Sequence, residues 1–144
     1  NGFASMGIAL PGAVGAKLAH PESNVLAICG DAGFLMNVQD LETARRLKLP
    51  IVVMIWEDGG YGLIKWKQDN TYGRHTDLDF GNPDFVALAE SFECIGVRVE
   101  RSGDLPGVLK AAFAADRPTV ITLPIDYREN EKLTGRLGNI ESTL

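Results

Sequence analysis

The sequence predicts an α/β fold: a doubly wound, mostly parallel sheet whose first strand is missing. Three observations predict it. Val25–Cys29 and Ile51–Trp56 are continuous apolar runs, each ending abruptly at a Gly/Asp-rich turn, as buried parallel strands do where they leave a sheet. Between them Val38, Leu41, Ala44 and Leu47 recur at helical spacing, so the unit reads strand, helix, strand with a right-handed crossover. Further helical and apolar stretches then alternate to the end of the chain, giving the order helix, β, α, β, α, α, β, α, β.

Each element has its own local reason. Residues 5–19 carry Ile8, Val14 and Leu18 among glycines and alanines, which predicts a helix packed close to its neighbours, weakened by Pro11. His20-Pro21-Glu22-Ser23 is a turn into the first strand. After the second strand, Gly59-Gly60-Tyr61-Gly62 forms a turn and Leu63–Gln68 a short helix whose first N–H groups would face an anion. Residues 69–81 lack periodicity and read as an exposed loop. Asn82 as cap and Pro83 as first helical residue open a helix with Phe85, Leu88, Ala89 and Phe92 inward. Ile95–Val99 is a strand near the sheet edge. Ser102 or Asp104 caps a helix to about Ala115, with Leu105, Val108, Leu109 and Phe113 inward, and Thr119–Leu123 is the last strand. Residues 1–125 are read as one domain and 126–144 as a polar tail. Asn1-Gly2-Phe3, entering a Gly/Ala-rich segment directly, reads as a piece of a longer chain.

Composition narrows the function. At 144 residues with 45% hydrophobic and 23% charged content, the chain is one soluble globular domain. A net charge of −5 without a basic run argues against nucleic-acid binding, and no apolar run is long enough to cross a bilayer. Cys29 and Cys94 lie in or beside apolar strands, so both are expected as buried thiols of a cytoplasmic protein. His20 and His75 have no partner at metal-ligand spacing and are expected on the surface or in a loop.

The chemistry concentrates at the two strand ends. Open parallel sheets bind ligands at the carboxyl ends of their strands, and here each end carries an acid, Asp31 and Asp58, among glycines that let backbone approach closely. Mg²⁺ takes oxygen ligands and is usually held by one or two carboxylates, with phosphate and water completing the shell. Asp31, Asp58 and a carbonyl of the Gly59-Gly60 turn supply three such oxygens. Taken alone, an Asp beside a Gly at a strand end is an ordinary turn or cap.

Gly30-Asp31-Ala32-Gly33-Phe34, followed 27 positions after Asp31 by Asp58 within Glu57-Asp58-Gly59-Gly60-Tyr61-Gly62, resembles the thiamine-diphosphate motif. That pattern is GDG, then NN after a stretch making roughly thirty residues in all. Ala32 replaces the third glycine, and Glu57-Asp58 replace Asn-Asn. Ser5–Ala16 is similar to the family's TMGxGLPAAIGA stretch. The resemblance implies the metal ligands Asp31, Asp58 and the Gly60 carbonyl. It also implies Met6 as a wedge under the cofactor, the Ala4 carbonyl as acceptor for its aminopyrimidine, and Gly30, Ala32, Gly33, Tyr61, Gly62, Leu63 and Ile64 as further cofactor contacts. Tyr61–Ile64, the Asn82–Phe92 helix and the tail Ile125–Asn130 look most like acetolactate synthase of the catabolic, FAD-independent kind. Where biosynthetic relatives carry a Trp, this chain has Lys67, with Trp66 one earlier.

By the same resemblance, the implied cofactors are thiamine diphosphate and Mg²⁺. The implied reaction joins two pyruvates into 2-acetolactate with loss of CO₂. The implied partner is the N-terminal pyrimidine-binding domain of a neighbouring subunit in a homodimer or homotetramer. That domain carries the activating glutamate, so the 144-residue chain alone is expected to be inactive. Tyr127 is expected to close over the site. Two alternatives remain open: a sibling thiamine-diphosphate decarboxylase or carboligase, and a non-enzymatic flavodoxin-like domain using Asp31 and Asp58 for Mg²⁺.

Overall fold

The structure, a computed structural model, describes residues 5–127. The chain runs α1 (Ala9–Ala19), β1 (Leu26–Gly30), α2 (Asp31–Leu35), α3 (Asp40–Arg46), β2 (Val52–Glu57), α4 (Gly62–Tyr72), α5 (Phe85–Ser91), β3 (Ile95–Arg98), α6 (Leu105–Ala114) and β4 (Thr119–Pro124). The four strands among the described residues form one all-parallel sheet in the order β1-β2-β4-β3. Its two faces are covered differently. On one, Ala27, Val53, Ile55 and Val120 pack with Leu10 and Ala13 of α1, Phe34 of α2, Leu41 and Ala44 of α3, and Phe85 and Ala89 of α5. On the other, Val52, Met54 and Ile121 pack with Val108, Leu109, Ala112 and Phe113 of α6. Alternate strand residues therefore feed alternate layers, which is why β2 reads as an unbroken apolar run. The fold is the doubly wound α/β class expected.

Local departures from the expected elements have identifiable causes. Pro11 does not interrupt α1, because it sits in the first turn where a backbone N–H has no helical acceptor to lose. That helix buries Leu10, Ala13 and Lys17, whose Nζ donates to the Ser23 carbonyl at 2.8 Å, while Ile8 and Leu18 are exposed. The helix expected over residues 38–47 is α3, and an additional short helix precedes it: β1 passes straight into α2 at Asp31. Leu47 lies past the end of α3, exposed, and Leu49 takes its place in the core. Helix α4 is eleven residues, not six, and ends only at Gly73 in the left-handed conformation.

The caps also differ. Asp84, not Asn82, caps α5, its carboxylate accepting from Val86 N at 2.9 Å and Ala87 N at 3.0 Å, so Pro83 precedes the cap instead of following it. Before α6 the chain makes a 3₁₀ turn over Ser102–Asp104, and the Asp104 carboxylate pairs with Arg101 instead of capping the helix. Strand β3 lies at a sheet edge, as expected. Both cysteines are free thiols. Cys94 is buried and Cys29 half-buried, and burial followed by the Asp31 charge pushes the Cys29 thiol up to about 11. His20 is exposed, and His75 hydrogen-bonds the Asp69 carboxylate in the loop after α4. No helix among the described residues is long and apolar enough to cross a membrane.

Candidate functional site

Strand register brings the two acids together. Gly30 at the end of β1 is paired with Trp56 near the end of β2, so Asp31 is one residue and Asp58 two residues beyond the last matched pair of adjacent strands. Asp31 is 1% exposed, although it bears a carboxylate. A buried charge of this kind persists only when its oxygens are hydrogen-bonded, and here they are. Oδ1 accepts from Ala32 N at 2.7 Å. Oδ2 accepts from Asp58 N at 3.2 Å, Gly59 N at 2.8 Å and Asn82 Nδ2 at 2.7 Å. The Asp58–Gly59 turn is thus folded onto the Asp31 carboxylate. Asp58 itself is exposed. Its carboxyl is held above the usual range, first by burial and then by the Asp31 charge, against the lowering pull of the Gly60 and Asp58 amides and Lys65.

The surrounding glycines keep this region close-set. A Cβ on Gly62, the first residue of α4, would overlap Asp58 Oδ2 and lie 4.0 Å from the Tyr127 ring. The Tyr127 hydroxyl is also pushed up, by burial and then by the Asp58 and Asp31 charges. On the other side, Gly7 has φ +87°, and a Cβ there would meet Asn37 Nδ2 at 2.7 Å. Asn37 Nδ2 in turn donates to the Gly7 carbonyl at 2.8 Å, and a Cβ on Gly33 would lie 3.8 Å from Gly7 N. These contacts tie the turn that carries Met6 to α2, and leave Met6 exposed at 47%.

The structure therefore draws Met6, Gly30, Asp31, Ala32, Gly33, Asp58, Gly60, Tyr61, Gly62 and Tyr127 toward one edge of the sheet, while Leu63 and Ile64 stand exposed on the first turn of α4. Ala4 and the tail from Arg128 onward lie outside the described residues. Glu57 is engaged elsewhere, its carboxylate accepting from Arg98 at 2.8 Å and from the Thr122 hydroxyl. Sequence reasoning missed Asn37 and the bond from Asn82 to Asp31. Asn82 was visible only as a cap, and Asn37 carried no local signal.

Among the described residues no three His, Cys, Asp or Glu side chains cluster as a metal site. Two carboxylates and a backbone carbonyl suit a hard cation that takes the rest of its oxygens from a phosphate and water, as Mg²⁺ does. Like-charged acids at the ends of adjacent strands, with Asp31 Oδ1 carrying only one hydrogen bond, fit such an ion.

Residues 1–123 match the family model described as "Thiamine pyrophosphate enzyme, C-terminal TPP binding domain". The chain belongs to this thiamine pyrophosphate-binding family. Its relatives include an acetolactate synthase of Bacillus subtilis (strain 168), 41% identical over 148 residues, covering 99% of this chain and 26% of the relative. A catabolic acetolactate synthase of Raoultella terrigena is 42% identical over 137 residues, covering 95% of this chain and 24% of the relative. Among solved structures, a Rhodococcus jostii RHA1 thiamine diphosphate-dependent 4-hydroxybenzoylformate decarboxylase superposes with a TM-score of 0.80 at 34% identity, over 86% of this chain and 24% of that one. The chain thus spans about a quarter of the length of these relatives. Membership in the thiamine pyrophosphate family favours a cofactor-binding enzyme domain over a flavodoxin-like one.

Proposed function

We propose that this chain is the cofactor-binding domain of a cytoplasmic, thiamine-diphosphate- and Mg²⁺-dependent acetolactate synthase, converting two pyruvates to 2-acetolactate and CO₂. One observation carries the reading: a buried Asp31 carboxylate, oriented by the amides of the Asp58–Gly59 turn, at adjacent strand ends. The 41% and 42% identities to acetolactate synthases support the choice of reaction.

When bound, thiamine diphosphate supplies a thiazolium that accepts the electrons released as a 2-oxo acid loses CO₂. The protein's share is binding and orientation. Asp31 and Asp58, with the Gly60 carbonyl, hold the cation that neutralises the diphosphate. The first amides of α4, which have no acceptor inside the helix, would be available to the same negative charge. Met6, exposed on its turn, is free to stand under the cofactor, and the Tyr127 ring lies next to Gly62 at the start of α4. The partner proposed for this surface is the pyrimidine-binding domain of a neighbouring subunit in a homodimer or homotetramer. Without it, the 144-residue chain is expected to leave pyruvate untouched.

The test is a product assay on the full-length protein that carries this domain, supplied with thiamine diphosphate, Mg²⁺ and pyruvate. Acetolactate is expected. Acetaldehyde instead would favour a decarboxylase, the reading to which the 4-hydroxybenzoylformate decarboxylase similarity points. Turnover of pyruvate by the isolated 144-residue chain would refute the expectation of inactivity.

A further inference from the structure

Asn82 lies 51 residues from Asp31 in sequence, yet its Nδ2 donates to Asp31 Oδ2 at 2.7 Å, the shortest of that oxygen's three hydrogen bonds. Two anchors bring it there, and each grips an acid-bearing segment. Upstream, residues 78–80 pair with the turn that follows Asp58: Phe80 N donates to the Gly59 carbonyl and Tyr61 N to the Leu78 carbonyl, both at 2.9 Å, with Gly60 bridged to Asp79. A Cβ on Gly60 would stand 3.0 Å from the Leu78 carbonyl, so the two segments approach closely here, and the Tyr61 and Phe80 rings meet edge-on at 5.3 Å. Downstream, Phe85 is buried against Phe34 of α2 with ring centroids 5.6 Å apart. Phe34 lies one helical turn beyond Asp31. Asn82 is thus suspended between the Asp58 turn and the Asp31 helix.

The distribution of bonds over the Asp31 carboxylate is uneven in a way that matters to a cation. A carboxylate offers about two lone-pair sites on each oxygen. Three N–H donors crowd Oδ2, whereas Oδ1 accepts only from Ala32 N. Because a carboxylate accepts and never donates when ionised, it also fixes which end of the amide faces it. Asn82 Oδ1 is left buried with no hydrogen-bond donor among the described residues. Such orphaned buried acceptors are rare in folded proteins. The amide is oriented by its bond to Asp31, since only its Nδ2 end can donate to a carboxylate oxygen.

From this we infer that Asn82 is a positioning residue: together with the Asp58 and Gly59 amides it holds Oδ2, so that Asp31 presents the single ligand oxygen Oδ1, and this biases the site toward Mg²⁺ over Ca²⁺. Mg²⁺ demands near-octahedral geometry with carboxylates bound through one oxygen, whereas Ca²⁺ takes six to eight ligands and accepts bidentate carboxylates. Losing the shortest of the three bonds loosens that hold, with only the amides of the Asp58–Gly59 turn left on Oδ2. The inference rests on the reading of Asp31 as a metal ligand.

The experiment is a calorimetric titration of the metal-stripped full-length protein, in saturating thiamine diphosphate, with Mg²⁺ and separately with Ca²⁺. Asn82→Ala is expected to raise the half-saturating Mg²⁺ concentration about tenfold, the effect of losing an outer partner of a metal ligand. Ca²⁺ binding is expected to weaken much less, so the preference between the ions shifts. A general loosening of the fold would weaken both ions together, and that result, or an unshifted Mg²⁺ value, overturns the inference. If the alanine variant does not fold, Asn82→Ser, whose short hydroxyl does not span to Asp31, carries the same comparison. Wild-type protein that binds no Mg²⁺ with the cofactor overturns both this inference and the proposed function. Wild-type binding with an unchanged ion preference in the variant overturns this inference alone.

Discussion

The two acids should respond very unequally to alanine in the metal-free protein, although both are proposed to hold the same cation. Asp31→Ala removes the acceptor of Asp58 N, Gly59 N and Asn82 Nδ2, three donors gathered from two distant segments onto one buried carboxylate. Leaving a buried donor unpaired costs about 1–3 kcal/mol. Because the three share one acceptor and water can reach the turn, a total of roughly 3–6 kcal/mol is expected, against a typical stability of about 5–15 kcal/mol. Asp58→Ala removes an exposed carboxyl whose ionisation is already opposed by burial and by the Asp31 charge. Its loss should change stability by less than about 0.5 kcal/mol, the usual range for surface sites.

Hydrogen exchange of the metal-free full-length protein reads this locally, at the amides of β1 and β2. Protection there should fall steeply in Asp31→Ala and stay level in Asp58→Ala, while Mg²⁺-dependent retention of thiamine diphosphate is lost in both. Equal loss of protection in the two variants, or none in Asp31→Ala, would refute the view that Asp31 organises the site while Asp58 only completes it.

Gly62→Ala should weaken Mg²⁺-dependent cofactor retention, since its Cβ would push Asp58 Oδ2 aside, yet leave the fold intact because only the end of that exposed side chain has to move; equilibrium dialysis with the cofactor and circular dichroism separate the two effects. Gly96→Ala acts in the reverse sense: its Cβ would come within 2.7 Å of the Val86 carbonyl and 2.9 Å of Val86 Cα, forcing α5 from β3 at a cost of about 1–3 kcal/mol, visible as a lowered unfolding midpoint. Arg98→Ala deprives the half-buried Glu57 carboxylate of its cation and should destabilise the ends of β2 and β3 by about 1 kcal/mol without altering Mg²⁺ affinity; a marked loss of Mg²⁺ binding would mean that Glu57 belongs to the metal site after all.

How much of this was legible in the sequence depends on the range over which each residue acts. Strand ends, and with them Asp31 and Asp58, are written locally, in apolar runs cut by glycine and aspartate, and the βαβ rule places both ends on one edge of the sheet. Helix boundaries were less legible where two local signals competed. Asn82-Pro83 is a familiar helix start, but Asp84 caps α5 with two amide bonds. Pro11 looked like a breaker until its place in the first turn was known. Asn82 shows why the remainder was hidden. Its release from capping leaves its amide for Asp31, a bond that spans 51 residues and lies between the Phe85–Phe34 contact and the pairing of Phe80 with Gly59. Residues that meet a ligand advertise their chemistry by type and spacing. A residue that aims them, such as Asn82, does so through the finished fold, so its role follows from the packing and pairing that bring distant segments together.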